Sequence, residues 1–282
     1  SKRFIAFFDR ILVDAPCSGE GMFRKNDNAG EEWSEENVAL CAERQDGILD
    51  CAATMLKPGG RLVYSTCTFA PAEDEGSVSR FLETHPDFCL EKEERLMPHK
   101  IKGEGHFLAV LHREGGLLSS AATAGTEKSL TLKDCREFLD FAKEALTIPA
   151  EELTEGKILL RFGEQLYLAP AETPSLRGLK VLRPGLHLGT VKKNRFEPSH
   201  ALALFLKKEQ VVNGINLAGD GTAVRKYLEG QTLTIGEGCD VEMADATLPK
   251  GWCLVCVDGY SLGWGKAAGA VLKNHYPKGL RK

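Results

Sequence analysis

The 282-residue sequence lacks several features that mark well-known classes of protein. It has no run of about eighteen apolar residues, which excludes a membrane-spanning helix. A short apolar run near the N-terminus is interrupted by Asp9 and Arg10, which argues against a signal peptide. The nine cysteines are an odd number and are scattered, as is typical of free thiols in a reducing compartment. These absences predict a cytoplasmic protein with no membrane partner.

The chain also lacks an overall positive charge, since its net charge is −4. The charge is uneven, however. Residues 1–100 carry 12 Lys and Arg against 19 Asp and Glu, whereas residues 101–282 carry 24 against 21. Two stretches, 177–195 and 259–282, contain basic residues and no acidic ones. Such stretches either neutralise phosphates on an otherwise acidic protein or form solvated basic faces, and the sequence leaves both open.

Hydrophobic periodicity in the first hundred residues predicts alternating strands and helices. Strands are expected at 8–15, 61–66 and 105–112, with helices at 34–57 and 72–85. This order predicts an α/β fold with a parallel, doubly wound sheet. Only about half of the usual ~6 strands are present, and no glycine-rich loop follows an opening strand. The chain is therefore expected to begin inside a domain.

The remaining sequence predicts smaller, β-rich regions. A helix is expected at 131–146, short strands at 157–162, 165–169, 179–183 and 186–191, and helices at 200–207 and 222–229. Asp258-Gly259 lies between two strand-like runs and predicts a hairpin. The predicted domains are a partial catalytic domain (1–113), a linker (114–128), an intermediate α+β domain (129–195) and a final domain (196–282).

Two short motifs carry the candidate chemistry. Asp14-Ala-Pro-Cys17-Ser-Gly-Glu-Gly-Met-Phe-Arg-Lys25 and Ser65-Thr-Cys67-Thr-Phe69 each follow a predicted strand. The carboxyl edge of an open parallel sheet is where ligands bind. If the strands are neighbours, about 4.8 Å apart, then Cys17, Cys67 and the Asp14 carboxylate face one crevice. The alternative is that both cysteines are small buried hydrophobes. Cys253 and Cys256 have no second pair, and alternation puts them on opposite strand faces, so no metal site is predicted.

The two motifs closely resemble the bacterial branch of the NOL1/NOP2/Sun family of RNA cytosine-5 methyltransferases. The resemblance covers residues 14–25, residues 56–67 and the acidic run Glu73-Asp74-Glu75. The segments 263–266 and 272–281 resemble the PUA-like tail of the ribosomal-RNA enzymes in that family. The resemblance is weakest over 129–195. It implies the C-terminal half of a Rossmann-like S-adenosylmethionine methyltransferase sheet, followed by a smaller β-rich α+β PUA-like region.

The resemblance also implies roles for individual residues. Cys67 would be the nucleophile, Cys17 would assist product release, and Asp14 would hydrogen-bond the base close to the methyl donor, S-adenosylmethionine. The partner would be RNA, with small-subunit ribosomal RNA suggested by the tail. Candidate RNA contacts are Arg24, Lys25, Lys266, Lys273, Lys278 and Arg281. Trp264 and Tyr276 either stack on bases or pack in the core.

The family's glycine-rich cofactor loop is absent from these 282 residues. The chain alone is therefore expected to be inactive, with most of the cofactor site in a missing N-terminal segment of the same protein. Two other interpretations remain. One is an RNA-binding fragment without catalysis. The other is a redox switch, because thiols on adjacent strand ends could reach the ~5.5 Å Cα separation of a disulfide.

Overall fold

The computed structural model describes residues 3–25, 30, 33–115, 126–241 and 248–282. The chain divides into two compact units, Ser1–Ala124 and Gly125–Lys282. In the described ranges, no helix combines the length and the apolar character needed to span a membrane. The predicted linker falls mostly on 116–125, which lies outside the described residues.

The described residues of the first unit form a four-stranded sheet and two α-helices. Its strands are β1 (Phe8–Asp14), β2 (Leu56–Thr66), β3 (Phe88–Leu96) and β4 (His106–Arg113), and its helices are α1 (Glu35–Met55) and α2 (Glu75–Thr84). The strand order is β1-β2-β4-β3. β1 and β2 are parallel, and β4 is antiparallel to both of its neighbours. The fold is therefore mixed α/β, as predicted. The β1–β2 pair is parallel, as expected, whereas the pairs that β4 makes are antiparallel, so the sheet of the described residues is mixed instead of wholly parallel.

The register of β1 and β2 determines where the two motifs lie. Asp14, the last residue of β1, pairs with Ser65, the penultimate residue of β2. Both strands therefore end at the same edge of the sheet, and the loops that follow them begin side by side.

Helix α1 forms where its sequence pattern predicts. Ser34 caps it by accepting a hydrogen bond from the backbone N–H of Asn37. Its buried face packs on the sheet, where Leu49 is fully buried together with Tyr64 of β2. The same face carries Gln45, a polar side chain that is also fully buried. A buried amide must find hydrogen-bond partners, so Gln45 points to a polar network inside the unit.

Two features of this sheet differ from the sequence prediction. β2 begins at Leu56 instead of residue 61. Leu56 already pairs with Phe8 of β1, and regular pairing resumes at Arg61 after an irregularity over 57–60. β3 was not predicted at all, since its residues are highly charged and mostly exposed. An edge strand needs backbone pairing on one side only, so it can form without an apolar pattern.

In the second unit, the part of the chain that the structure describes forms two sheets and four short α-helices. Its strands are β5 (Lys157–Phe162), β6 (Gln165–Pro170), β7 (Leu186–Lys192), β8 (Arg195–Pro198), β9 (Gly214–Leu217), β10 (Leu233–Thr234), β11 (Leu248–Val257), β12 (Tyr260–Gly269) and β13 (Val271–Asn274). Its helices are α3 (Arg136–Ala145), α4 (Ala150–Thr154), α5 (His200–Phe205) and α6 (Thr222–Leu228). The sheet orders are β5-β6-β7-β8 and β10-β13-β12-β11-β9.

Strand β11 separates two hydrophobic cores of this unit. Cys253 packs in the core that contains Tyr227, and Cys256 packs in the core that contains Phe138 and Trp264. The two cysteines therefore lie on opposite faces, as strand alternation predicts. The core around Phe138 contains residues from both sides of position 195. The predicted boundary between domains 129–195 and 196–282 therefore crosses a shared core, and it stays a prediction.

The predicted hairpin is present and one predicted strand is wrong. Asp258 and Gly259 both have positive φ, 48° and 87°, as a two-residue hairpin turn between β11 and β12 requires. Residues 179–183 form no strand, and Leu182 is 89 % exposed there. Apolar composition was a misleading signal here, because these residues are mostly exposed and no face of the segment is buried.

Candidate active site

The structure brings Cys17 and Cys67 into contact. Their Sγ atoms lie 3.1 Å apart. The backbone N–H of Cys67 also donates to Sγ of Cys17, at 3.3 Å. Both thiols are half-buried, so each is shielded on one side and open on another. The two motifs thus form one site at the carboxyl edge of the β1–β2 pair.

Asp14 lies beside the thiols at the end of β1. Its Oδ1 accepts a hydrogen bond from Oγ of Ser65, at 3.1 Å, and its side chain is exposed. The negative charge of Asp14 acts on Cys67 by raising the pKa of that thiol. The three residues predicted for catalysis are therefore neighbours in space.

The hydrogen bond between the two thiols makes them chemically different. The bond from Cys17 lowers the pKa of Cys67 to about 7, against the opposing effects of burial and Asp14. The same bond, together with burial, raises the pKa of Cys17. At neutral pH the pair therefore holds a neutral Cys17 thiol that donates to a partly ionised Cys67. The thiolate is the nucleophilic form, so Cys67 is the more reactive of the two.

A fully buried carboxylate, Glu73, contacts the loop that carries Cys17. Its Oε2 accepts the backbone N–H of Ser18 at 3.0 Å and Nε2 of Gln45 at 2.9 Å. Its Oε1 accepts the Ser18 hydroxyl. The backbone oxygen of Glu73 accepts the hydroxyl of Tyr64 at 2.7 Å. The Gln45 side chain, buried in the apolar stripe of α1, is thus part of the network that supports the site.

The next residue, Asp74, is also fully buried and serves the other motif. Its Oδ1 accepts the hydroxyl of Thr66 at 2.6 Å, and its Oδ2 lies 3.2 Å from Nη2 of Arg95. Burial raises the pKa of Asp74 to about 7, and the bonds from Thr66 and Arg95 oppose that effect. The sequence indicated the acidic run 73–75 only through the family resemblance. A second signal was Gln45, a polar residue on the apolar face of α1, because a buried amide there requires a polar partner such as Glu73.

The loop after Cys17 returns to the second motif through Gly21. The N–H of Gly21 donates to the backbone oxygen of Cys67, at 2.8 Å. A Cβ at position 21 would lie 2.8 Å from that oxygen and 2.9 Å from the oxygen of Gly105, so only glycine fits without a shift. Beyond this turn, Arg24 and Lys25 are exposed, and Arg24 lies 3.7 Å from Glu104.

The other predicted RNA contacts lie in the second unit. Lys266 of β12 pairs with Lys273 of β13, and both are exposed. Lys278 is exposed in a short 3₁₀ turn. The Arg281 guanidinium donates to the backbone oxygen of Tyr276 at 3.0 Å, which holds it against its own chain.

The two aromatic residues considered for stacking on RNA bases, Trp264 and Tyr276, pack instead against the protein core. Trp264 is 2 % exposed, and its Nε1 donates to the oxygen of Ser199 at 2.8 Å. Tyr276 is partly buried and packs against the core that contains Tyr227. Neither ring is an open stacking surface.

Three family models match the chain in consecutive order. They are the 16S rRNA methyltransferase RsmB/F model over residues 1–112, the first C-terminal domain of RsmF rRNA methyltransferase over 140–206, and the PUA domain of methyltransferase RsmF over 215–282. Together the three models cover most of the chain, which is similar along its length to the RsmB/RsmF family of rRNA methyltransferases. This confirms the resemblance to the NOL1/NOP2/Sun enzymes and the PUA-like C-terminal region predicted from the sequence.

Similar proteins include several named ribosomal RNA small subunit methyltransferase F. The one from Shewanella sp. W3-18-1 is 28 % identical over 98 % of this chain and 59 % of its own length. Those from Shewanella sp. ANA-3 and Shewanella oneidensis are each 29 % identical, over 98 % of this chain and 60 % of their own. The chain therefore spans about three fifths of the relatives it matches. A crystal structure titled NSun6 from Pyrococcus horikoshii with SFG is 30 % identical over 37 % of this chain and 30 % of its own, with a TM-score of 0.33.

Proposed function

We propose that this chain carries the catalytic cysteines of an enzyme that methylates carbon 5 of a cytidine in RNA, with small-subunit ribosomal RNA as the substrate. The observation that carries the proposal is the contact between Cys17 and Cys67, 3.1 Å apart at the carboxyl edge of a parallel strand pair. Similarity to the 16S rRNA methyltransferase RsmB/F model supports RNA as the substrate. The two unequal thiols support chemistry at a ring carbon.

The first chemical step uses the more acidic thiol. Carbon 5 of cytosine is a poor nucleophile until a group adds at carbon 6. The Cys67 thiolate forms an S–C6 bond, and the displaced electron pair makes carbon 5 nucleophilic. Asp14 hydrogen-bonds the base near ring nitrogen 3 and helps to stabilise the adduct. The cytidine must leave its stack to reach the half-buried thiols.

The last chemical step frees the enzyme. After methylation, carbon 5 carries both a methyl group and a proton. Solvent water accepts that proton, and the electron pair of the broken C5–H bond returns to the ring, which breaks the S–C6 bond and restores the Cys67 thiolate. Cys17 assists this release from its position 3.1 Å away. Because its raised pKa keeps it neutral before the reaction, Cys17 does not compete as the first nucleophile.

S-adenosylmethionine, which the family implies, supplies an electrophilic methyl group when bound. Among the described residues, Asp14 fits this cofactor: its exposed carboxylate lies at the sheet edge where a cationic methyl donor would approach. No glycine-rich turn follows an opening strand in these 282 residues. Since the chain spans about three fifths of its relatives, most of the cofactor site is assigned to sequence outside it. On this proposal the 282-residue chain alone is inactive and binds the cofactor weakly.

A redox function for the same cysteines is the second candidate, and the 3.1 Å contact also favours it. In that case mild oxidation by a peroxide would form a disulfide with loss of two hydrogens, and reduction would reverse it. Intact mass before and after reduction detects this directly. A protein with no methyl-transfer activity whose RNA binding changes with oxidation would support it over the enzyme.

The decisive experiment measures 5-methylcytidine by mass spectrometry of nucleosides. The full-length parent acts on small-subunit ribosomal RNA, naked or in subunits, from cells that lack the enzyme. Cys67→Ala should abolish the product, and Cys17→Ala should trap an RNA–protein adduct on a denaturing gel. Cys51→Ala, which removes an exposed thiol on α1, is the matched control and should retain activity. Product formation by Cys67→Ala, or no product with any RNA, would reject the proposal and favour an RNA-binding protein without catalysis.

A further inference from the structure

We propose that Glu73 is a positioning residue that sets the distance between the two catalytic thiols by holding the Cys17 loop. Glu73 touches neither sulfur. It contacts the residue after Cys17 and the side chain that holds the residue before Cys17. The inference rests on the proposed function for the meaning of the thiol contact, but its test does not require methyl transfer.

The Cys17 loop is held on both sides of the cysteine. Before it, the backbone oxygen of Pro16 accepts Nε2 of Gln45, at 3.0 Å. After it, the N–H and hydroxyl of Ser18 both donate to Glu73. The same Nε2 of Gln45 donates to Glu73 at 2.9 Å. One carboxylate therefore closes a hydrogen-bonded bracket around Cys17.

Cys67 is fixed by different contacts. It follows β2, whose Thr66 donates to Asp74 at 2.6 Å, and its own backbone oxygen accepts Gly21 at 2.8 Å. Because Cys67 is anchored by the sheet and by Asp74, loosening the Glu73 bracket moves Cys17 relative to Cys67. Besides the Gly21 contact, the two sides are joined by the Ser18 and Thr68 hydroxyls, at 2.8 Å, and by the backbone N–H of Phe69 on Glu20, at 2.9 Å.

The carboxylate form suits this position because it only accepts hydrogen bonds. Donor groups from Ser18 and Gln45 converge on the two oxygens of Glu73, which is fully buried. An amide in its place would turn an N–H₂ group toward at least one of these donors. A buried acid that lacked such partners would strongly destabilise the fold. Glu73→Gln therefore perturbs the bracket while changing little in size.

The test follows alkylation of Cys67 by iodoacetamide as a function of pH in the 282-residue chain. Trypsin releases residues 62–80 with Cys67 as their only cysteine and residues 11–24 with Cys17 as theirs, so each thiol is read separately by mass spectrometry. In the unsubstituted chain the midpoint for Cys67 is expected near its pKa of about 7. Loss of the Glu73 charge by itself would lower the pKa of Cys67, so an upward shift in Glu73→Gln can come only from a weakened Cys17–Cys67 hydrogen bond. We expect the midpoint to move upward toward about 8.5, the value of a free thiol, and alkylation at pH 7 to slow roughly tenfold.

Two further variants separate positioning from general destabilisation. Glu73→Asp keeps the charge with a shorter reach, so its midpoint should lie between those of the other two proteins. Asp87→Asn removes a carboxylate that pairs with Arg113 in the same unit, at 2.8 Å, and should leave the midpoint unchanged. If Glu73→Gln does not fold, Ser18→Ala is used instead. It removes the hydroxyl shared with Glu73 and Thr68 and should give a smaller upward shift.

Folded Glu73→Gln or Ser18→Ala protein with the unsubstituted midpoint would overturn the proposal. An equal shift in Asp87→Asn would do the same, because the effect would then be nonspecific. The readout is independent of RNA. A parent enzyme without methyl-transfer activity but with a shifted thiol midpoint in Glu73→Gln would reject the proposed function and support the positioning role.

Discussion

At the scale of single residues, the acidity of Cys67 depends mainly on one hydrogen bond. Burial, Asp14 and Glu73 all raise the pKa of this thiol, and a weaker backbone hydrogen bond acts together with Cys17 to lower it. The donor is Cys17, and the lowered pKa of Cys67 is coupled to the raised pKa of Cys17. A thiol can thus be activated without an adjacent histidine or lysine, provided that a second thiol keeps its proton.

Cys17→Ala should therefore reduce the reactivity of Cys67. A thiol with a lowered pKa is ionised above that pKa, so Cys67 reacts readily above pH 7 in the unsubstituted chain. Without the donor, ionisation requires a pH above about 8.5, and alkylation at pH 7 should fall by at least about tenfold. Cys17→Ser keeps a hydroxyl donor, so its alkylation rate at pH 7 should fall less. Iodoacetamide kinetics measure both, and the exposed Cys51 is an internal reference. A midpoint near pH 7 in Cys17→Ala would contradict the assignment of the hydrogen bond.

At the scale of secondary-structure elements, two glycines have opposite effects on stability. Gly47 lies inside helix α1 with open space around its would-be Cβ. Gly259 forms the hairpin turn between β11 and β12 at φ 87°, also with open space. An added methyl group therefore meets open space at both positions, and only the backbone conformation of the two glycines differs. A helix favours alanine over glycine, whereas positive φ favours glycine.

Gly47→Ala should stabilise the chain by about 0.5–1 kcal/mol, and Gly259→Ala should destabilise it by about 1 kcal/mol. Urea unfolding followed by circular dichroism measures both changes in the free energy of unfolding. The two substitutions are controls for each other, because each adds the same methyl group to open space. Changes of the same sign would show that a feature other than backbone conformation dominates.

At the scale of the whole molecule, a net charge of −4 makes RNA binding a local property. The basic residues predicted to contact RNA are concentrated at the C-terminal end, where Lys266 and Lys273 are adjacent on β12 and β13. The number of counterions that RNA releases on binding depends on these local phosphate contacts and not on the total charge of the protein.

Lys266→Ala and Lys273→Ala should each lower the salt dependence of RNA binding by about one unit, with a loss of affinity that is similar for different sequences. Fluorescence anisotropy with a labelled oligoribonucleotide over a range of salt concentrations measures the slope. Lys143→Ala, an exposed lysine near the end of α3, is the matched control and should leave the slope unchanged. The same slope in all four proteins would contradict the assignment of this surface to RNA.

Several parts of this architecture could be predicted from local sequence. Ser34 before an acidic first turn marks the start of α1, and Asp258-Gly259 marks a hairpin turn, because each signal acts on the backbone next to it. The charged β3 could not be predicted, since its formation depends on the exposed backbone of β4. The bracket around Cys17 was also missed, because Glu73 is 55 positions from Ser18 and 28 from Gln45.

The sequence by itself determined the two motifs, the strands they follow and the family that they resemble, because these depend on residue order and on patterns a few residues long. Only the tertiary structure decided that the thiols lie 3.1 Å apart and that Cys67 is the more acidic. Both motifs contain a similar Cys, and nothing in either motif alone makes its thiol ionise. The difference arises when the parallel register of β1 and β2 brings the two thiols together and a buried carboxylate holds one loop against the other.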